Sequence, residues 1–257
     1  MAVAMNQELR ALRDAGCKCI QIEEPTLHFW ANTYGRDHDN VKFMIEAYNR
    51  EVQGLDDVEL WIHTCWGNPN MQRVIENDSY RESFQLYLEA CRGDVWTVEM
   101  KDRNLREIEL FAPLKVTLKK KIAVGVVSHR TLQVEQPEQV AATIRQALKH
   151  IAPEQLIISS DCGFGRQGCN RDIAFFKTTS IAQGTNIVRK ELGLPATCVR
   201  AAEPALQTDL VPKCLIADIG PLRRVEAARR RENADGQGTP WKTPRGGCPA
   251  IELLPCW

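Results

Sequence analysis

The residues in this chain best suited to chemistry are His63 and Cys65, in Trp61-Ile62-His63-Thr64-Cys65-Trp66. Val58 to His63 reads as a β-strand running out into a loop. On an extended backbone, residues two apart leave the same face, so imidazole and thiol point together. Nitrogen and sulfur donors of this kind suit borderline-soft Zn²⁺. Two ligands hold zinc poorly. Cys162, in Ser159-Ser160-Asp161-Cys162-Gly163 after the β-like run Gln155 to Ser160, is the expected third, and Glu99, closing Trp96-Thr97-Val98-Glu99, can fill a fourth position. An H-x-C pair alone is weak information, because strand-end cysteines usually pack and histidines usually hydrogen-bond. The weight comes from all four sitting where strands end.

The elements that must position these residues alternate regularly. Residues 2–15 have the pattern of an amphipathic helix with Leu9, Leu12 and Ala15 inward, stopped by Gly16. Cys17 to Ile22 is a short apolar strand leading into Glu23-Glu24-Pro25. A helix is expected over 40–53, with Val41, Met44, Ile45, Tyr48 and Val52 at helical spacing and Gly54 at its end. After the His63 strand come a helix over 79–91, a strand over 94–99, a helix from Arg103 to Phe111 and a strand over 122–127. A helix over 137–150 opens on Pro137, and a strand over 155–160 precedes a helix over 170–192.

Strand–helix alternation of this kind argues a parallel α/β fold. Glu23, Glu24, His63, Cys65, Glu99, His129 and Cys162 all fall just after strands. That is the catalytic face of a (β/α)8 barrel, and also the ligand-binding edge of an open doubly wound sheet. Spread over five consecutive strands, the pattern suits a ring better than a single crevice. About five βα units are legible where a TIM barrel has eight. Residues 1–212 are therefore read as a partial (β/α) barrel and 213–257, rich in Arg, Gly and Pro, as an irregular, poorly ordered tail, although Cys214–Ile219 could form a strand.

Composition bounds the partners. The 257 residues are 44% hydrophobic and 26% charged, with 33 basic and 33 acidic side chains, enough for one sizeable core. Zero formal net charge gives no support to nucleic-acid or anionic-membrane binding. No apolar run reaches the ~18 residues of a membrane helix, and the start has no secretory pattern. The ten scattered cysteines read as reduced thiols in a cytoplasmic setting.

Other motifs say less. Gly163-Phe164-Gly165-Arg166-Gln167-Gly168 matches G-x-G-x-x-G after a strand, but no second strand with a closing acid follows, so a nucleotide-dependent oxidoreductase is a rival reading only. Glu23 and Glu24 are adjacent and face opposite ways on a strand, so one of them could hold a cationic amine. His129 could act as acid, as orienting partner or as a plain hydrogen-bonder. Gly184 inside the last helix suggests close packing.

Four segments in order carry a family resemblance. Ala15-Gly16-Cys17-Lys18-Cys19-Ile20-Gln21-Ile22-Glu23-Glu24-Pro25, Ile62-His63-Thr64-Cys65, Val98-Glu99 and Asp161-Cys162-Gly163 together resemble the catalytic barrel of cobalamin-independent methionine synthases. The resemblance spans about residues 2–195. It implies a (β/α)8 barrel with Zn²⁺ on His63, Cys65, Cys162 and Glu99. The metal ionises a thiol that then attacks an alkyl carbon: methyl transfer from a methyl-folate donor to homocysteine, forming methionine. Glu23, or else Glu24, would bind the homocysteine amino group, and His129 would protonate the departing pterin nitrogen.

This chain also departs from the family. An Asp-Glu-Pro is Glu23-Glu24-Pro25 here, and Val127-Ser128 precede His129. The Cys162–Gly168 segment is closer to the single-domain branch that includes epoxyalkane:coenzyme M transferases, which leaves coenzyme M as an alternative acceptor. The match starts at about the family's fourth strand, so a non-catalytic barrel fragment, with self-association covering open edges, stays open as well.

Overall fold

The computed structural model describes residues 1–67, 78–114, 119–165 and 168–196. Five strands form one parallel sheet in sequence order: β1 (Cys19–Glu23), β2 (Glu59–Thr64), β3 (Val95–Val98), β4 (Lys121–Val127) and β5 (Leu156–Ser160). The order 1-2-3-4-5 has no reversal, so no switch-point crevice forms and every strand delivers its carboxyl end to the same rim. Register fixes who meets whom: Glu23 lies beside His63, His63 beside Thr97, and Thr64 beside Val98.

The helices are α1 (Ala2–Asp14), α2 (Pro25–Tyr34), α3 (Asp39–Glu51), α4 (Pro137–Ala147) and α5 (Arg171–Glu191). They cover a core in which Ile62, Trp96, Val98, Ile122, Val124 and Ile158 from the sheet meet Leu27, Val41, Tyr48, Val140, Ile144 and Ile181 from the helices. Each such buried aliphatic side chain contributes roughly 1.5–3 kcal/mol. Strands buried on both faces read as continuous apolar runs rather than alternating ones, as Ile122–Val127 does.

Several elements differ from the sequence expectation. In α1 only Leu9 is buried, while Leu12 is 50% exposed and Ala15 lies outside. The helix ends at Asp14, before Ala15. The segment after Glu24 forms a helix that periodicity did not announce. It is short, its first turn is set by Pro25, and the Glu24 carboxylate caps it by accepting from Leu27 N at 3.3 Å. The stretch expected as a helix over 79–91 is helical only over its second half, with a π turn at Leu86–Ala90.

Arg103 to Phe111 is not an α-helix. It consists of 3-10 turns at Lys101–Arg103 and Ile108–Leu114 around a left-handed corner, with φ of 51° at Asn104, 57° at Leu105 and 68° at Glu107. Left-handed residues cannot propagate a right-handed helix. The proposed strand at Cys214–Ile219 and the tail over 213–257 lie outside the described residues.

α4 and α5 lie against each other, and Gly184 is the reason they can. A Cβ there would stand 2.6 Å from Val140 Cβ and 2.7 Å from the Pro137 carbonyl. Gly125 does the equivalent inside the sheet, where a Cβ would collide with the Asp161 carboxylate. The β4–β5 register shifts at this point, between Gly125 and Val127, and the ladder continues through Asp161 N to Val127 O at 3.0 Å. Glycine here makes room for a buried carboxylate at the rim.

Candidate metal centre

The rim gathers side chains from five strand ends. His63 is the fifth residue of β2, and Cys65 follows its last. Cys162 stands two residues beyond β5. Their ligand atoms lie within 4.8 Å of one another, and all three residues are buried. The segment is held from behind by aromatic packing: Trp66 sits 5.1 Å from Tyr80 and 3.7 Å from His28, ring centre to ring centre, under the Arg103 guanidinium. Trp96 Nε1 donates to Thr64 Oγ1 at 2.9 Å, pinning the residue between the two donors.

The three donors interact strongly with one another. A hydrogen bond from the Cys65 thiol pulls Cys162 far down, against desolvation, helped by His63 and His129. The same bond, with burial, pushes Cys65 up. The two thiols are thus shifted in opposite directions by the bond between them. Burial alone would lower His63, but Cys162, Glu23 and Glu99 beside it raise it. A site that gathers this much negative character around soft donors is suited to a cation. One imidazole and two thiols, all within 4.8 Å of one another, are donors of the types that Zn²⁺ takes.

Glu99 is placed differently from the other three. Fully buried, it groups with Asp102 and His129. Its Oε1 accepts from Arg130 Nε at 3.3 Å and Nη2 at 3.0 Å, and its Oε2 from Nη2 at 3.1 Å and from Trp66 N at 3.0 Å. Burial raises its carboxyl while Trp66 and Arg130 oppose that. His129 Nδ1 stands 3.5 Å from Asp102 Oδ2, and neither ring nitrogen has a hydrogen-bond partner among the described residues. Burial takes this imidazole down to about 4, so it is neutral at pH 7.

The two glutamates after β1 separate cleanly. Glu23 is half-exposed, with Oε2 at 3.6 Å from His63 Nε2, and opens onto the rim. Glu24 is committed to capping α2 and is raised mainly by burial, so of the two only Glu23 faces the site.

Two residues important to the geometry carried no signal of their own. Asp161, fully buried, accepts from the backbone N–H of Met100, Lys101 and Asp102, each at 2.7 Å, and so ties the loop after Glu99 to the strand end that carries Cys162. Arg130 links three loops by donating to Glu99, approaching Asp102 at 3.5 Å and donating to Gly67 O at 2.9 Å. In the sequence Asp161 is simply the residue before Cys162, and Arg130 the residue after His129. The glycine-rich run after β5 is not followed directly by a helix as a dinucleotide fingerprint is. α5 begins at Arg171, beyond the last glycine of the motif, with Asn170 as its cap.

Comparison with known proteins agrees with this geometry. Residues 1–182 match the family model described as the cobalamin-independent synthase, catalytic domain. Over 192 residues the chain is 31% identical to a methionine synthase of Sulfurisphaera tokodaii, covering 75% of this chain and 49% of that one. It is 32% identical to a methionine synthase of Saccharolobus solfataricus, covering 75% and 51%. The chain therefore spans about half the length of the curated relatives it matches. A B12-independent methionine synthase from Shewanella sp. W3-18-1, solved with selenomethionine, superposes with a TM-score of 0.58 at 26% identity, over 74% of this chain and 54% of that one. The five-stranded sheet is thus a partial (β/α)8-type barrel, and the chain belongs to the cobalamin-independent synthase catalytic-domain family.

Proposed function

We propose that this chain takes part in zinc-dependent methyl transfer to a thiol, with homocysteine as acceptor and a methyl-folate as donor. The observation that carries the reading is the convergence of His63, Cys65 and Cys162 from two distant strand ends. These three would hold Zn²⁺, and Glu99 would fill a fourth position and give it up to the acceptor sulfur. When bound, the metal would supply the positive charge that ionises a thiol whose ordinary pKa is near 8.5.

The chain's own residues would do the rest. Glu23, half-exposed beside His63, is placed to receive the acceptor's ammonium group. His129 is the proposed acid for the leaving nitrogen. Because burial keeps its ring neutral, its proton has to arrive with the donor or after it. Trp61, Val95, Ala123 and Ile157 form a separate apolar patch of the sheet that is buried from water. No helix of the described residues is long and apolar enough to cross a membrane. The proposed setting is the cytoplasm, where thiols stay reduced.

The test is metal content. Chelator-washed protein should carry about one zinc per chain, and Cys65→Ser and Cys162→Ser should each lower the stoichiometry and weaken retention. Full zinc in both variants would sink the ligand assignment. Zinc with no turnover of either homocysteine or 2-mercaptoethanesulfonate would leave a barrel fragment that keeps its ligands without the reaction.

A further inference from the structure

Glu99 presents a problem of charge that the zinc reading leaves open. If its carboxylate yields a coordination position to an incoming thiol, it must go somewhere, and it is fully buried. A buried carboxylate is tolerated only when paired and hydrogen-bonded. The structure already contains that destination. Both Glu99 oxygens are engaged by Arg130, and Trp66 N adds a fixed donor from the residue after Cys65. Arg130 is itself anchored at Gly67 O and near Asp102, so it cannot follow Glu99 without breaking contacts with two other loops.

Resting on the zinc reading, we infer that Arg130 is the positioning residue that receives Glu99 and so keeps the fourth coordination position open to the acceptor thiol. With Arg130 present, Glu99 has two places to be: on the metal, or on the guanidinium with the Trp66 amide. Without it, the released carboxylate would be buried with no countercharge and only the Trp66 amide as a donor, so it would stay on the metal and compete with the thiol. A bidentate guanidinium suits this task better than an ammonium, because its planar fork matches both carboxylate oxygens.

The experiment loads the full chain with Co²⁺ in place of zinc and follows sulfur-to-cobalt charge transfer while 2-mercaptoethanol or L-homocysteine is added. Wild-type protein should gain the signature of a third sulfur. Arg130→Ala should bind Co²⁺ with an unchanged starting spectrum yet need about 10–100-fold more thiol, the usual scale for loss of an outer partner at a metal site. Arg130→Lys should fall between.

The double variant Arg130→Ala/Glu99→Ala should recover thiol binding, since removing the carboxylate removes its need for a partner. A merely structural role for Arg130 would give no such recovery, and that result overturns the inference. So does an Arg130→Ala titration that coincides with wild type. If the wild-type chain takes up no Co²⁺ with sulfur charge transfer, the metal assignment itself fails and carries this inference with it.

Discussion

At the scale of single residues, Asp161 decides whether the rim holds together. Burial, with Asp102 and Glu99 nearby, raises its carboxyl, and the backbone N–H groups of Lys101 and Asp102 oppose that. An Asn at this position keeps the volume but turns one acceptor oxygen into a donor, aimed at a backbone N–H that is itself a donor. Hydrogen bonds to a charged group contribute about 1.5–3 kcal/mol each, and a buried unsatisfied donor adds its own desolvation cost. Asp161→Asn should therefore lower stability by roughly 3 kcal/mol in denaturant unfolding. It should also weaken zinc retention, because the Met100–Asp102 loop and the Cys162 strand end are no longer tied. Unchanged stability would mean that the three amide contacts are dispensable.

At the scale of elements, the turn after β3 shows what a sequence can and cannot reveal. The periodic elements were legible: α3, α4, α5 and all five strands lie close to where hydrophobic spacing places them. The Arg103–Phe111 segment was not, because its conformation is set by side chains distant in sequence. Arg103 lies over Tyr80 and donates to Glu107 at 2.9 Å. Glu107 also accepts from Ser79 Oγ at 2.7 Å and Tyr80 N at 2.8 Å. These contacts hold three non-glycine residues, Asn104, Leu105 and Glu107, in left-handed backbone, which Leu and Glu in particular disfavour. The candidate site shows the same divide. His63, Cys65 and Cys162 declare their chemistry by type, whereas Arg130 and Asp161 act only through what the fold sets beside them.

Glu107 gives this turn a pH signature. Desolvation works to raise its carboxyl, but Ser79, the Tyr80 amide and Arg103 outweigh it and hold the group below 4.5. A depressed acid stabilises the fold above its unfolded value and loses that contribution as pH falls through its folded value. Glu107→Gln should thus be less stable than wild type at pH 7, by about 1–3 kcal/mol. The gap should close as pH drops below the carboxylate range. Parallel urea titrations at pH 7 and pH 3 would show it. A gap that persists at low pH would assign the loss to packing rather than charge.

At the scale of the molecule, the rim, the sheet and the covering helices form a unit among the described residues, which run to 196. The family match ends at residue 182, and the described fold closes with α5 at Glu191. The last helix is secured from within this unit: Lys177, its side chain fully buried, donates to Glu135 Oε2 at 2.8 Å and Gln133 O at 2.6 Å. Glu135 in turn accepts from Ser128 N at 2.7 Å, and Ser128 Oγ donates to Asp102 at 2.6 Å. A chain of contacts therefore runs from α5 to the loop that presents His129. Residues 1–212 are on this basis the proposed barrel domain, with 213–257 as an accessory segment. Deleting 213–257 should leave the melting temperature and the zinc stoichiometry where they are in the full chain. A large fall in melting temperature would place part of the barrel's core in that segment. Retained stability with lost zinc would instead give the segment a role at the rim.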